Sequence, residues 1–257
     1  MSAVALAYSY EPVPQSSFSD RVSQLLDKID YRLIESDADR EAIARLRYDA
    51  YLREGAIDPN PSKTFIDPYD DKKNVWIFGL YIGDELASSI RIHVASKDDP
   101  VFPSRSVFSD LLESELEAGN TIIDPTRFVT DPRLSRLHPG LPYVTLRLCW
   151  LAAEQFAAEH FLVAVRAEHQ AFYKRVFRHR SICGPRDYPL LSKPITLMTV
   201  NYKDVAEQVH RRYPFFRSTF FERRMLFARF RPVLPATIPM RPIFRGSPPP
   251  QVTSQAG

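Results

Sequence analysis

Asp124-Pro125-Thr126-Arg127-Phe128-Val129 places a carboxylate, a guanidinium and an aromatic ring within one short run that reads as a β-strand. Upstream, Arg47 stands one helical turn before Tyr51, and Asp67-Pro68-Tyr69-Asp70 follows in a segment rich in Pro, Asp and Asn. Downstream comes His169-Gln170-Ala171-Phe172-Tyr173. Read together, these clusters point to an enzyme.

Working outward from that strand, residues 143–160 form a strong helix, with Val144, Leu148, Leu151 and Phe156 on its buried side. Residues 161–167 read as a strand, 170–177 as a short helix and 195–202 as a last strand. Helices then run from residue 205 to near 227. Upstream, Val22, Leu25 and Leu26 mark an amphipathic helix over residues 17–30, and residues 31–35 alternate like a first strand. Ser36 or Asp37 caps a helix that runs to Arg53, with Ile43, Leu46, Ala50 and Tyr51 on its inner face. Residues 56–73 form a long loop, a length that marks functional or disordered segments. Residues 75–82 and 86–94 pair around a Gly83-Asp84 turn, and residues 107–117 read as a short helix. The order β-α-loop-β-β-β-α-β-α-β gives a mixed α/β sheet with helices on both faces. One domain is expected over residues 17–230, with its core at 31–202 and basic helices at 203–230. Residues 1–16 and 231–257 are expected to be disordered; from Pro232 onward 7 of 26 residues are proline, too many for a packed element.

Composition excludes several chemistries. The two cysteines, Cys149 and Cys183, rule out a disulfide framework and a structural zinc site, and they fit a reducing compartment. No signal-peptide pattern opens the chain and no apolar run reaches membrane-spanning length, so a cytoplasmic protein is expected. Gly-x-Gly-x-x-Gly, the P-loop, His-Glu-x-x-His and Gly-x-Ser-x-Gly are all missing, and the six histidines lack metal-ligand spacing. No metal and no tightly bound cofactor is expected. Net charge is +3, yet residues 203–245 hold ten Lys/Arg against three Asp/Glu. That basic region either meets an acidic partner or anionic surface, or is a solvated face. No nucleic-acid module accompanies it, so no nucleic-acid partner is expected.

The order of elements and the clusters resemble the GNAT-type acyltransferase fold. Within it they resemble the branch of acyl-homoserine-lactone synthases and N-acyl amino acid synthases. Arg47 with Tyr51 is similar to that branch's Arg-x-x-x-aromatic, and Asp67-Pro68-Tyr69-Asp70 to its Asp-x-x-Asp. Arg91 matches the arginine of its third strand, and Asp124-x-x-Arg127-Phe128 its acid-x-x-Arg-Phe. Residues 168–175, Gly184-Pro-Arg-Asp-Tyr188-Pro189 and 194–198 look more like the N-acyl amino acid synthases. The resemblance implies transfer of a fatty acyl group from acyl carrier protein to the α-amine of a free amino acid. One alternative is acyl-homoserine-lactone synthesis from S-adenosylmethionine, though residues 55–66 lack the tryptophan usual there. A second is a non-catalytic module that binds an acyl ligand. The phosphate-binding turn of CoA-using relatives is replaced by Asp131-Pro-Arg133-Leu-Ser-Arg136, which favours carrier protein over CoA.

The resemblance also suggests roles. Asp124 is a base or amine-orienting group, or else a structural ion pair with Arg127 or Arg91. Arg127 belongs to the catalytic set. Tyr173 is a general acid for the leaving thiolate, or a packed core residue. The backbone N–H of Phe128 or Val129 is placed to stabilise an oxyanion. Arg47, Asp67, Asp70 and Arg91 order the long loop over the site by ion pairing, and with Tyr51, Phe128, Val129 and Phe172 they make up the substrate-binding set. Phe128, Phe156 and Phe172 line an acyl channel or are plain core. Arg133, Arg136, Arg211 and Arg212 suit the acidic carrier protein and its phosphopantetheine. Cys149 is inert packing, or carries the acyl group in a covalent route. Peripheral contact with a membrane is compatible with a lipid product.

Overall fold

The computed structural model describes residues 17–188 and 193–228, so the expected disordered ends lie outside the described residues. Two compact units are distinguished, Met1–Phe227 and Ala228–Gly257, and only Ala228 of the second is described.

The first unit is built on one seven-stranded sheet of order β1-β2-β3-β4-β5-β7-β6. Its strands are β1 (Ile29–Leu33), β2 (Val75–Ile82), β3 (Glu85–Ala95), β4 (Ile122–Thr130), β5 (His160–Val165), β6 (Arg180–Ser181) and β7 (Thr196–Val200). β2 is buried along nearly its whole length, as its near-continuous apolar sequence requires. The β2–β3 turn puts Gly83 at φ +60°, the left-handed conformation that a glycine-first hairpin loop needs. Gly79 is also required: a Cβ there would lie 2.8 Å from the Tyr81 ring.

Helices cover both faces. They are α1 (Phe18–Leu26), α2 (Asp37–Arg53), α3 (Arg105–Glu117), α4 (Pro132–Leu137), α5 (Leu141–Gln155), α6 (Gln170–Phe177), α7 (Tyr202–Arg212) and α8 (Phe220–Phe227). α1 starts in a reciprocal cap between Ser17 and Asp20. α5 is the apolar centre, with Leu148, Trp150 and Leu151 fully buried against Phe161, Phe177 and Phe216. No described helix is long and apolar enough to cross a membrane.

Several elements differ from the sequence expectation. The expected helix over 143–160 stops at Gln155, because Ala157 turns to φ +51° and the chain re-enters the sheet at His160. α4 and the two-residue β6 escape hydropathy patterning, since neither is long enough to show a period. In α2 the buried residues are Ile43, Ala44, Arg47, Tyr48 and Ala50, whereas Leu46 and Tyr51 are only half-buried. A charged residue thus sits on the inward face, where a count of apolar residues misplaces the stripe.

Candidate active site

Two features of β4 create the site. The first is its departure from β5. The strands pair in parallel only at Ile122↔His160 and Ile123↔Phe161, and beyond that β5 leaves the β4 edge free. The second is a bulge. Ser89 of β3 faces Val129 and Arg91 faces Thr126, so Arg127 and Phe128 together oppose Ile90. Arg127 lies at φ +56°, a conformation that costs a non-glycine residue about 1–2 kcal/mol. In a regular strand Thr126 and Arg127 would point to opposite faces. The bulge instead lets Arg127 join Arg91, the cross-strand neighbour of Thr126, on the same carboxylate.

That carboxylate is Asp67, from the loop after α2. Arg127 donates to Asp67 Oδ2 through Nε at 2.9 Å and Nη2 at 2.6 Å. Arg91 donates through Nη1 to Asp67 Oδ1 at 2.5 Å and to Asp70 Oδ1 at 2.8 Å. Arg47 of α2 donates to Asp70 Oδ2 at 2.7 Å. Arg91 Nε reaches the Thr126 hydroxyl at 2.9 Å. All five charged groups are buried. Burial would raise the Asp67 carboxyl, but hydrogen bonds and charge from Arg91 and Arg127 outweigh it and hold it well below the usual carboxylate range. The Arg127 guanidinium also stacks 4.5 Å from the Phe65 ring centroid. The network ties the long loop to α2, β3 and β4, as expected for Arg47, Asp67, Asp70 and Arg91.

Asp124 stands apart. It is fully buried, and its oxygens accept from the Ser104 N–H at 3.0 Å and the Ser104 hydroxyl at 2.7 Å. Ser104 immediately precedes α3 and commits its hydroxyl to Asp124 rather than to capping the helix, so Asp124 fastens the start of that helix to the sheet. It makes no ion pair with Arg127 or Arg91 among the described residues, so the ion-pair alternative does not describe it. Burial pushes its pKa up to about 6, despite Ser104 and the charge of Arg91. In the strand register it lies opposite His93, whose pKa burial and Arg91 depress to about 3.

The splay of β4 from β5 opens a cavity of about 430 Å³. Residues from both faces of the sheet line it: Tyr51 and Glu54 from the α2 side, Leu146, Phe172 and Tyr173 from the α5–α6 side, and Arg127, Phe128 and Val129 between. Asp124 is not in its wall. Neither is Phe156, which packs on Trp76 at 5.1 Å and Phe227 at 5.6 Å. Phe128 and Phe172 do face the cavity. Tyr173 is buried, which raises its pKa and keeps the phenol protonated; nearby Cys149 adds to the effect. Cys149 is itself fully buried, and its thiol is pushed well above its ordinary value. It is not a cavity-lining residue.

At the rim, Arg166 donates to Glu54 at 2.5 Å and to His169 Nε2 at 3.0 Å. Glu54 and Arg166 were not legible as site residues. They lie 112 positions apart with no local pattern linking them. Arg133, Arg136, Arg211 and Arg212 are all exposed. Arg133 pairs with Glu85, and the segment around it is a helix start capped by Asp131 rather than a phosphate-binding turn. Among the described residues no group of three His, Cys, Asp or Glu is placed to hold a metal.

Residues 42–201 match the profile of the family described as N-acyl amino acid synthase FeeM. The chain belongs to that family. Like its relatives it is an acyltransferase. Among solved structures it is similar to FeeM, an N-acyl amino acid synthase from uncultured soil microbes, at TM-score 0.60 and 17% identity. That match covers 73% of this chain and 97% of FeeM. The CoA-dependent acyl-homoserine lactone synthase MesI follows at TM-score 0.50 and 18% identity, covering 74% and 97%. The AHL synthase LasI matches at 0.51 and 13%, covering 66% and 89%. At these identities the structures establish a shared GNAT-like acyltransferase fold. No curated protein sequence matches the chain.

Proposed function

We propose that this enzyme transfers a fatty acyl group from the phosphopantetheine thioester of acyl carrier protein to the α-amine of an amino acid. The observation that carries the proposal is the cavity through the split sheet. It is lined by Ile90, Leu146, Val163 and Phe172 in its apolar part and by the β4 bulge in its polar part. An acyl chain fits the first and a reacting thioester the second.

The amine arrives largely protonated and must lose a proton before it attacks. Asp124 is walled off from the cavity. The proton acceptors in the wall are Glu54 and His169; Arg166 occupies the His169 Nε2 lone pair, so we assign the role to Glu54, whose carboxylate keeps lone pairs free beside its own contact with Arg166. Attack on the thioester carbon forms a C–N bond and an oxyanion. The free β4 edge at Phe128 offers a backbone N–H to that oxyanion, whereas the β3 register turns the Val129 N–H towards Ser89. Collapse breaks the C–S bond. Tyr173 hydrogen-bonds the departing thiolate, which takes the second proton that the nitrogen sheds as it becomes an amide. The raised pKa of Tyr173 makes full proton transfer from the phenol to sulfur uphill, so it acts as a donor rather than as a strong acid. The cluster around Asp67 holds Arg127, and so the bulge, in place.

Carrier protein is favoured as donor over CoA because α4 replaces a phosphate-cradling turn, while Arg136, Arg211 and Arg212 are exposed with no acidic partner among the described residues. The test is mass spectrometry of lipid extracts from cells overexpressing the wild type or Arg127→Ala. N-acyl amino acids that vanish in the variant support the assignment. Acyl lactones, or amides unchanged by the variant, refute it.

A further inference from the structure

α8 has one face tied down and one face bare. Glu222 accepts from Arg147 of α5 at 2.5 and 3.0 Å, and Arg223 pairs with Glu154 at 3.1 Å. Phe227 packs against Trp76, Phe78 and Phe156. On the opposite side Phe220 is 65% exposed, Phe221 71% and Met225 51%. Phe220 and Arg224, and likewise Phe221 and Met225, are spaced one helical turn apart, so these four side chains share the outward face. Three of the six large exposed hydrophobic residues among those described thus sit on this eight-residue helix. Arg224 has no acidic partner among the described residues.

We propose that this face of α8 docks on an anionic lipid bilayer, with Phe220, Phe221 and Met225 entering the interface and arginines meeting the headgroups. Two bare phenylalanines beside the unpaired Arg224 guanidinium are the residue types that such an interface takes. The charge pattern supports lipid. After Glu222 the sequence contains six arginines and no Asp or Glu through residue 257, with Phe230, Leu234, Ile238 and Phe244 interspersed. An acidic protein partner is the competing occupant. It is less favoured because Phe220, Phe221 and Met225 are not in the cavity wall, whereas a docked carrier must deliver its arm there. The proposal does not depend on which acyl donor the enzyme uses.

The test is flotation of the full-length protein with vesicles of phosphatidylcholine alone or mixed with phosphatidylglycerol. The wild type should float with the anionic vesicles only, and added salt should release it. Phe220→Ser combined with Phe221→Ser should weaken binding at least ~10-fold, with the melting temperature and the turnover of soluble substrates unchanged. Arg224→Ala should weaken it about fivefold. The proposal is overturned if the wild type ignores anionic vesicles, or if the double variant floats as well as the wild type. It is also overturned if the double variant keeps lipid binding but raises KM for acyl carrier protein, which would make this face a carrier-docking surface.

Discussion

Replacing Asp124 by Asn should change how the stability of this fold depends on pH, by a definite amount and in a definite direction. The carboxyl has a pKa near 3.8 when the chain is unfolded and about 6 when it is folded. A raised folded pKa means that the folded state binds the proton more tightly. The resulting stabilisation is full below the unfolded pKa and disappears as pH rises through about 6. The difference corresponds to ~3 kcal/mol. His93 and His179 act in the opposite sense. Burial lowers both to about 3, so each contributes stability above its ordinary value of 6.5 that is lost as pH falls. The wild-type profile alone therefore mixes opposing slopes, and the comparison with Asp124→Asn separates them. The Asn oxygen can still accept from the Ser104 N–H, and its NH₂ can donate to the Ser104 hydroxyl, so the fastening of α3 survives. Urea unfolding of both proteins between about pH 4 and pH 7.5 gives the difference profile, where the wild type should lose about 2 kcal/mol relative to the variant on going up in pH, the remainder lying below about pH 4. Parallel profiles would show that the Asp124 carboxyl is not held in the way described. The variant should also turn over substrate, since the carboxyl does not face the cavity.

Other outcomes follow from the same geometry. Asp67→Asn removes the carboxylate shared by Arg91 and Arg127; Arg91 keeps Asp70, but the buried Arg127 guanidinium loses its acidic partner, which should cost about 3–5 kcal/mol and abolish turnover; thermal melts and product assays check both. Arg147→Met frees the carbonyls of Phe215 and Arg217 together with Glu222, so amide exchange should speed up over residues 213–227 while the sheet strands stay protected. Val163→Trp fills the apolar part of the cavity and should shift product chains to shorter lengths, read by mass spectrometry, whereas an unchanged chain distribution would place the acyl group elsewhere.

Much of this architecture is written in local pattern. Gly83-Asp84 between two apolar runs marks the central hairpin, and Ser36 or Asp37 places the start of α2 to within one residue, the fold choosing Ser36. Arg47, Asp67, Asp70 and Arg91 read as one ion-pairing set and Arg127 apart from them, in the catalytic set; the fold joins all five by hydrogen bonds. Asp124 reads as a base or amine-orienting group, or else an ion-pair partner, and its actual contact is missed for a physical reason. Its partner Ser104 lies 20 residues away at a helix start, and no strand or helix period links the two. The rim pair Glu54–Arg166 is equally invisible, because it forms only when α2 and the end of β5 are brought together. The bulge is also silent in sequence. A non-glycine residue gives no sign that it will adopt positive φ, yet this is what turns Arg127 towards Asp67. Contacts set by tertiary approach rather than by chain period are the ones the sequence leaves unmarked.

The central claim is that the acyl chain occupies the cavity between β4 and β5. It is tested most directly by photo-crosslinking. The purified enzyme would be mixed with acyl carrier protein bearing a fatty chain with a diazirine near its end, then irradiated and digested, and the adducts mapped by mass spectrometry. The account predicts adducts on Leu146, Val163 or Phe172, lost when untagged acyl carrier protein competes. Adducts confined to residues outside the cavity wall would contradict it.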